Sequence, residues 1–279
     1  RQVGLLTLAG GTLINGQLLA TAYNLERGVV SLVFGGSSRL IKTTSGLVEM
    51  QSSNTYTGGT EIYDGTLRLA GNDRLPVGGA IWMVGGSLEL GGYEQNAGLV
   101  RLGGGLISWG ILRGGTYAFE GGQVSAVLDG NAALTKTTAG TVTLSGANTL
   151  SGSVQVFDGV LAVSGAGKLT SGSVTVAGSG AFLRLGNTAQ SVGAFRLVEG
   201  VVESGVLTAS SFTVDSGLIS AALDGESLLR KNSLGIVTLS GANTLSGSME
   251  ITAGSLAISG VGKLTAGTVT ISGAATLLT

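Results

Sequence analysis

One long stretch of sequence occurs three times in this chain and constrains its fold more than any other feature. The first copy begins at Leu40 and reads LIKTTSGLVEMQSSNTYTGGTEIYDGTLRLA, and the later copies begin at Leu134 and Leu229. The copies are spaced by 94 and then 95 residues. A fixed period of this kind indicates a repeat architecture, in which equivalent residues lie at equivalent places along the molecule.

The period extends over the whole chain. It divides the sequence into three copies, at about residues 4–97, 98–192 and 193–279, each followed at the same distance from its first glycine by an aromatic residue (Tyr23, Tyr117 and Phe212). The third copy is incomplete, so the chain begins and ends inside the pattern. We therefore expect one continuous repeat body that is either a fragment of a longer array or a subunit whose ends meet those of its neighbours.

The local pattern predicts an all-β fold. Short runs such as Thr141–Leu144 alternate apolar and polar residues, and pairs such as Asp-Gly and Ser-Gly separate the runs, which is typical of strands joined by tight turns. Gly is 51 of 279 residues, Pro is 1 and only 11% of residues are charged. A sandwich does not usually repeat its own sequence, whereas a parallel β-helix stacks equivalent coils. Coils of about 19 residues would give about fourteen or fifteen coils and a length on the order of 70 Å.

Composition excludes several classes of function. The absence of Cys excludes disulfides and thiolate metal sites, and the absence of His removes the commonest general base. With a net charge of −1 and no basic run, nucleic acid is not an expected partner. No apolar run reaches the ~20 residues that a membrane-spanning helix needs. No signal peptide is visible, so an exported protein is expected to carry its leader outside these residues.

The repeated stretch resembles the passenger-associated repeat of bacterial autotransporters. That pattern runs L-x-K, then Gly, then alternating apolar residues, then N-T-Y-x-G-G-T and finally x-G-x-L-x-L, and the first copy matches it from Leu40 through Asn54 to Leu67. The later copies depart from it, since Leu150 and Leu245 replace Tyr56. The resemblance implies a right-handed parallel β-helix on an exported bacterial protein, with the outer-membrane translocator domain outside this sequence.

Three repeat positions are the candidate site residues, and each has a structural interpretation. Asn tolerates the left-handed conformation and is expected to cap a turn through its own amide, whereas Lys is expected to lie along the wall with a solvated or stem-packed side chain. The positions are Lys42, Lys136 and Lys231; Asn54, Asn148 and Asn243; and Gly58, Gly152 and Gly247. No catalytic residue, cofactor site or metal site is predicted.

Acidic and aromatic side chains offer weaker signals. Carbohydrate-cleaving β-helices need clustered carboxylates, and the available pairs are Glu61 with Asp64 and Glu199 with Glu203. Asp64 precedes a glycine, which is a turn signature. The aromatic residues in and after the first copy (Trp82, Tyr93, Trp109, Tyr117 and Phe119) are expected to pack in loops, with a small sticky patch for protein or sugar as the alternative.

Three functions from different classes follow. The first is a non-catalytic β-helical stalk in the passenger of an adhesin, located at the bacterial surface or outside the cell, with neighbouring β-helix segments and host-surface or biofilm components as partners. The second is a subunit of an extracellular filament, in which identical subunits stack head to tail through exposed strand edges. The third is a carbohydrate-active β-helix enzyme, which would need a carboxylate cluster that does not stand out here.

Overall fold

The computed structural model describes residues 2–262 and 267–278, and these ranges contain β-strands and no α-helix. Residue 1 of the chain and residues 263–266 and 279 of the third copy lie outside the described residues. The all-β prediction is therefore confirmed.

The strands of the described ranges are β1 (Gln2–Leu8), β2 (Thr12–Leu25), β3 (Gly28–Gly35), β4 (Leu40–Lys42), β5 (Leu47–Met50), β6 (Thr60–Ile62), β7 (Thr66–Leu69), β8 (Ile81–Met83), β9 (Ser87–Glu89), β10 (Glu94–Asn96), β11 (Leu99–Leu102), β12 (Leu106–Ser108), β13 (Ile111–Arg113), β14 (Thr116–Phe119), β15 (Gly122–Val124), β16 (Val127–Gly130), β17 (Leu134–Lys136), β18 (Thr141–Leu144), β19 (Thr149–Leu150), β20 (Val154–Val156), β21 (Gly159–Val163), β22 (Val174–Val214), β23 (Gly217–Ile219), β24 (Ala222–Gly225), β25 (Leu229–Lys231), β26 (Ile236–Leu239), β27 (Thr244–Leu245), β28 (Met249–Ile258) and β29 (Val269–Leu278).

The chain divides into two compact units. The first holds the described part of Arg1–Ala132 together with Ser145–Thr149, and the second holds Ala133–Leu144 and the described part of Leu150–Thr279. Both units are β-solenoids of parallel strands, with about 14 coils in the described residues. The prediction of a parallel solenoid is confirmed, whereas its right-handed sense and its continuity as one domain stay predictions.

In the first unit, strands from successive coils form three stacks, which we name faces A, B and C. Face A runs through the register partners Leu6, Tyr23, Leu40, Thr60, Ile81, Val100 and Tyr117. Face B runs through Gly28, Val48, Leu67, Leu88, Ile107 and Val124. Face C runs through Gln95, Leu112 and Leu128. All of these pairings are parallel, so each strand satisfies its backbone groups with the coils on either side.

The second unit repeats the same stacks at equivalent positions of the sequence. Its face A runs through Leu134, Val154 and Val174 and again through Phe212, Leu229 and Met249. Its face B runs through Val142, Leu161 and Leu183 and again through Val202, Ile219, Leu239 and Ile258. The long strand β22 contributes to several stacks, and its chain turns between faces at residues with positive φ, such as Gly186 at 58° and Ser204 at 63°.

Register partners measure the length of each coil. Arg113 and Asp129 are partners on face C and lie 16 residues apart. Arg68 and Glu89 are partners on face B and lie 21 residues apart. The predicted coil length is therefore a mean, around which the corner loops vary.

The core consists of the alternate residues that face inward. In β7, Leu67 and Leu69 are buried, whereas Arg68 between them is half-buried. In β18, Val142 and Leu144 are buried in the same alternating pattern. Fully burying one such side chain contributes roughly 1.5–3 kcal/mol. Because the inward positions of adjacent coils lie in register, the apolar side chains form continuous rows along each unit.

One aromatic position recurs within this core. Tyr23 stacks on Phe34 with ring centroids 4.2 Å apart, and its hydroxyl lies 2.8 Å from the Leu18 carbonyl oxygen and 2.7 Å from that of Gly35. The Tyr117 hydroxyl lies 2.8 Å from the Leu112 carbonyl oxygen, which is the equivalent partner. Each tyrosine hydroxyl therefore donates a hydrogen bond, from inside the core, to a backbone carbonyl at a corner of the coil.

Candidate functional site

Asn54 joins three successive coils through its side-chain amide. Its Oδ1 accepts a hydrogen bond from the backbone N–H of Phe34 at 2.7 Å, one coil earlier. Its Nδ2 donates to the carbonyl of Ser52 at 2.8 Å and to that of Arg74 at 2.7 Å, one coil later. The side chain is buried. Asn54 therefore satisfies backbone groups that the strand pairing leaves without partners at this corner.

The other two copies use the same contact to the preceding coil. Asn148 Oδ1 accepts from the N–H of Leu128 at 2.8 Å, and Asn243 Oδ1 accepts from that of Leu223 at 2.9 Å. None of the three asparagines has a positive φ. These asparagines therefore do not use the left-handed conformation that Asn tolerates. The amide of Asn54 bonds to its own turn, as expected, and also to backbone groups of neighbouring coils.

Two glutamines that sequence reasoning missed play the same part. Gln95 is buried, its Oε1 accepts from the N–H of Leu75 at 2.9 Å, and its Nε2 donates to the carbonyl of Leu75 at 3.1 Å. Gln190 lies one repeat period later and accepts from the N–H of Leu169 at 2.9 Å. That spacing was a signal in the sequence that could have identified the pair.

The three repeat lysines are fully buried, so the prediction that they lie along the wall is wrong. In β4, Leu40 and Lys42 face inward and Ile41 lies between them, so alternation alone directs the lysine into the core. The Lys42 ammonium donates to the carbonyl of Thr44, and to that of Asp64 at 3.2 Å.

The other repeat lysines have equivalent contacts. Lys136 donates to the carbonyls of Thr138 and Asp158, the latter at 3.0 Å. Lys231 donates to the carbonyls of Ser233 and Ala253, the latter at 3.3 Å. Each ammonium therefore fastens the corner of its own coil to the corner of the next, and hydrogen bonds to a charged group contribute roughly 1.5–3 kcal/mol each.

Burial changes the acidity of these ammonium groups. Desolvation lowers the pKa of Lys42, and the nearby charges of Asp64 and Glu26 offset part of that effect. Desolvation likewise lowers the pKa of Lys231, with Asp215 as the offsetting charge. The ammonium groups face backbone carbonyls inside the solenoid, so the geometry assigns them a structural part.

Glycines make room for these corner networks. Gly65 has a φ of 68°, and a Cβ there would lie 2.1 Å from the Thr44 carbonyl oxygen and 2.6 Å from Lys42 Nζ. Gly159 and Gly254, at φ of 65° and 66°, occupy the equivalent positions beside Thr138 and Ser233. Only glycine combines this backbone conformation with such a close approach.

The glycines predicted as repeat positions lie at a different corner. A Cβ on Gly58 would lie 2.5 Å from the carbonyl carbon of Ser38, and one on Gly247 would lie 2.3 Å from the carbonyl oxygen of Glu226. The carbonyl of Gly152 accepts a hydrogen bond from the Thr170 hydroxyl at 2.7 Å. At these corners adjacent coils lie in direct backbone contact.

Carboxylates on the surface pair with arginines one coil away, and Glu61 and Glu203, which were candidates for acidic pairs, are among them. Glu61 holds Arg39 at 3.1 Å, whereas Asp64 accepts the N–H of Gly65 at 2.7 Å. Glu203 holds Arg184 at 2.5 Å, and Glu199 is exposed. Further pairs of the same kind are Arg68 with Glu89, Arg101 with Glu120, Arg113 with Glu94 and Asp129, Arg196 with Asp215, and Arg230 with Glu250.

The aromatic residues proposed from the sequence fall into two groups. Tyr117 and Phe119 are buried core residues with ring centroids 5.5 Å apart, so the expectation of loop packing is wrong for them. Trp82, Tyr93 and Trp109 are exposed. The Trp82 ring lies 5.1 Å from the Arg101 guanidinium carbon.

The part of the chain that the structure describes contains no cluster of three or more acidic, histidine or cysteine side chains that could hold a metal ion. Nor does it contain a helix with the length and apolar character that a membrane crossing requires.

Comparison with known proteins identifies the class of repeat. The Passenger-associated-transport-repeat family matches residues 40–69, 134–163 and 229–258, which are the three copies of the repeated stretch. The chain is also similar to the adhesin BmaC autotransporter of Brucella suis biovar 1 (strain 1330), with 32% identity over 136 residues. Those residues are 47% of this chain and 4% of the adhesin. No solved structure matches the chain.

The resemblance to an autotransporter passenger with passenger-associated repeats is therefore confirmed. The three matched segments hold the buried lysines, the glycines with positive φ and the bridging asparagines described above. The filament alternative and the partners expected for it stay predictions.

Proposed function

We propose that this chain is a non-catalytic β-helical stalk in the passenger of an exported bacterial surface protein of the adhesin type. The main support is that the three passenger-associated repeats contain the asparagines and lysines whose hydrogen bonds join adjacent coils of the parallel solenoid. The similarity to an adhesin autotransporter supports a location at the cell surface or outside the cell. Host-surface or biofilm components are the proposed partners of the whole protein.

The pairing of the surface charges supports a non-catalytic role. Acid–base cleavage of a glycosidic bond needs two carboxyl groups about 5–10 Å apart across the bond. Glu61 and Glu203 instead hold arginines of adjacent coils. Exposed ion pairs of this kind contribute about 0–1 kcal/mol each, so they serve mainly to hold the register between coils.

A deletion in the whole surface protein, made in its own bacterium, tests the stalk. Removing residues 98–192 deletes the second copy, which is one full repeat period, and keeps the register of coils. We expect the shortened protein to reach the surface, measured with an antibody against this chain, and to keep its adhesion to host cells. A control deletion of residues 98–182 ends about half a coil earlier, so it breaks the register and should abolish surface display.

The outcome that would contradict the proposal is equally direct. If the register-preserving deletion were displayed normally and yet lost all adhesion, the deleted coils would carry the binding activity themselves. Cleavage of a polysaccharide by the purified chain would contradict the proposal that the stalk is non-catalytic.

A further inference from the structure

The first unit contains an open cleft between two adjacent coils. One section, of about 560 Å³, is lined by Ser53–Thr57 and by residues of the next coil that include Asp73, Pro76 and Val77. A second section, of about 200 Å³, is lined by Gly58–Glu61, Ala80–Trp82, Leu99 and Arg101. The two sections adjoin, because Thr57 and Gly79 line the first and the next residues of the chain, Gly58 and Ala80, line the second. The wall formed by residues 53–61 could extend at most roughly 30 Å.

The second copy makes a different contact at the place where Pro76 lines the cleft. Thr170 is the equivalent of Pro76, and its hydroxyl donates to the Gly152 carbonyl at 2.7 Å and lies 3.1 Å from that of Leu150. Those contacts fasten the loop to the preceding coil. Pro76 has no hydroxyl, and its carbonyl instead accepts the N–H of Gly79 in a tight turn at 2.9 Å.

The second section presents an aromatic side chain that the other copies lack. Trp82 lies beside Glu61 in the register of face A, and the equivalent positions, beside Gln155 and Glu250, are occupied by Thr175 and Thr270. The Trp82 side chain is 38% exposed, and Leu99 next to it is 47% exposed. The solenoid therefore does not need an aromatic side chain at this place, yet the first copy has one.

The cleft combines apolar surfaces with hydrogen-bonding groups and little net charge. Trp82, Leu99 and Val77 are exposed apolar surfaces, whereas Thr55, Thr57 and Glu61 offer polar groups. Glu61 holds Arg39 at 3.1 Å and Arg101 holds Glu120 at 2.6 Å, so their charges are balanced. Asp73 accepts hydrogen bonds from the backbone and side-chain N–H groups of Asn96 at 2.8 and 3.1 Å, so it contributes the remaining negative charge. Aromatic rings and apolar side chains complement the C–H faces of sugar rings, and a few polar groups orient the ligand.

We propose that this cleft binds an uncharged oligosaccharide, with one sugar ring against Trp82 and the chain extending toward Pro76 and Val77. This site goes beyond the stalk role, which needs no ligand. It assigns a recognition activity to the first copy of the repeat together with Leu99 and Arg101 at the start of the second.

The two tryptophans of the chain supply a probe and its control. Trp82 lies in the cleft and Trp109 does not line it, so the two indole N–H signals of the ¹⁵N-labelled chain report separately on the cleft and on another exposed surface. The chain is titrated with cellotriose, maltotriose, chitotriose and lacto-N-tetraose, with a sulfated heparin tetrasaccharide and with an unstructured neutral decapeptide, each to about 10 mM, a concentration that detects millimolar affinity. We expect at least one neutral oligosaccharide to shift the Trp82 signal and to leave that of Trp109 in place.

Matched variants decide whether the cleft is responsible. Trp82→Thr introduces the residue of the other copies and should weaken binding at least about tenfold, as loss of a stacking surface predicts. Pro76→Thr should weaken binding by refastening the loop, whereas Tyr93→Thr removes an exposed aromatic side chain that does not line the cleft and should leave the affinity within about twofold. Because Trp82→Thr removes the indole reporter, the shifts of backbone amide signals measure the affinity of every variant. Circular dichroism verifies that each variant is folded.

Several results would overturn the proposal. They are the absence of a Trp82 shift with every neutral oligosaccharide, a shift with the sulfated tetrasaccharide or the peptide alone, and an unchanged affinity in Trp82→Thr.

Discussion

Replacement of Asn54 by alanine tests whether side-chain amides hold the coils together. The substitution leaves the N–H of Phe34 without its acceptor at 2.7 Å and removes the donor to two carbonyls. A buried N–H without a partner costs about 1–3 kcal/mol, and each lost hydrogen bond to a carbonyl costs about 0.5–1.5 kcal/mol. We expect the local free energy of opening to fall by about 2–6 kcal/mol, which is the sum of these costs.

Native-state hydrogen exchange is the suitable assay, because stability in a solenoid is distributed among neighbouring repeats. The Phe34 amide should exchange at least about thirtyfold faster in Asn54→Ala, since each tenfold corresponds to about 1.4 kcal/mol. Asn131→Ala is the matched control, because Asn131 is exposed. Asn148→Ala should accelerate the Leu128 amide and leave that of Phe34 unchanged. Unchanged exchange at Phe34 in Asn54→Ala, or equal acceleration in the control, would refute the reasoning.

Three further substitutions test the corner glycines and a buried hydroxyl. Gly159→Ala should lower the unfolding free energy by at least about 3 kcal/mol, because φ is 65° and the new Cβ would lie 2.3 Å from the Thr138 carbonyl oxygen. Gly165→Ala is the control: its φ is 58° but the space around it is open, so it should lower the unfolding free energy by only about 1 kcal/mol. Thermal unfolding measures both, and equal losses would contradict the steric argument. Burial raises the pKa of Tyr117 to about 12, so ionisation of the unfolded chain above pH 10 lowers stability until the folded pKa is passed. Tyr117→Phe introduces the residue found at the equivalent position, Phe212. It should reduce the loss of unfolding free energy between pH 8 and pH 11.5 by about 2 kcal/mol, measured by denaturant unfolding. An unchanged pH dependence would exclude Tyr117 as its source.

The architecture could be predicted from the sequence because it depends on repetition. A period of 94–95 residues, alternation in runs such as Thr141–Leu144 and frequent glycine predict stacked parallel strands without knowledge of any contact. The observed registers, such as Val142 beside Leu161, agree with the expected mean coil. Asp64 before Gly65 also identified a turn correctly, since its carboxylate accepts the following N–H.

The burial of the repeat lysine side chains could have been predicted from the sequence but was not. In the sequence L-x-K, alternation places Leu40 and Lys42 on the same face, and the structure buries both. The usual preference of lysine for solvent argued against that face. The interior position is stable because the carbonyls of Thr44 and Asp64 accept the ammonium and Gly65 leaves space for it.

The remaining contacts were decided by the tertiary structure alone. Asn54 bonds to Phe34 and Arg74, each 20 residues away, and these partners meet only when the intervening corner loops have the right lengths. The unequal lengths of the coils are not encoded in any local pattern. The cleft beside Trp82 likewise depends on the stacking of coils, because Glu61, Trp82 and Arg101 line it from three successive coils. Repetition thus determined the solenoid, whereas contacts between coils determined what its interior and its surface can do.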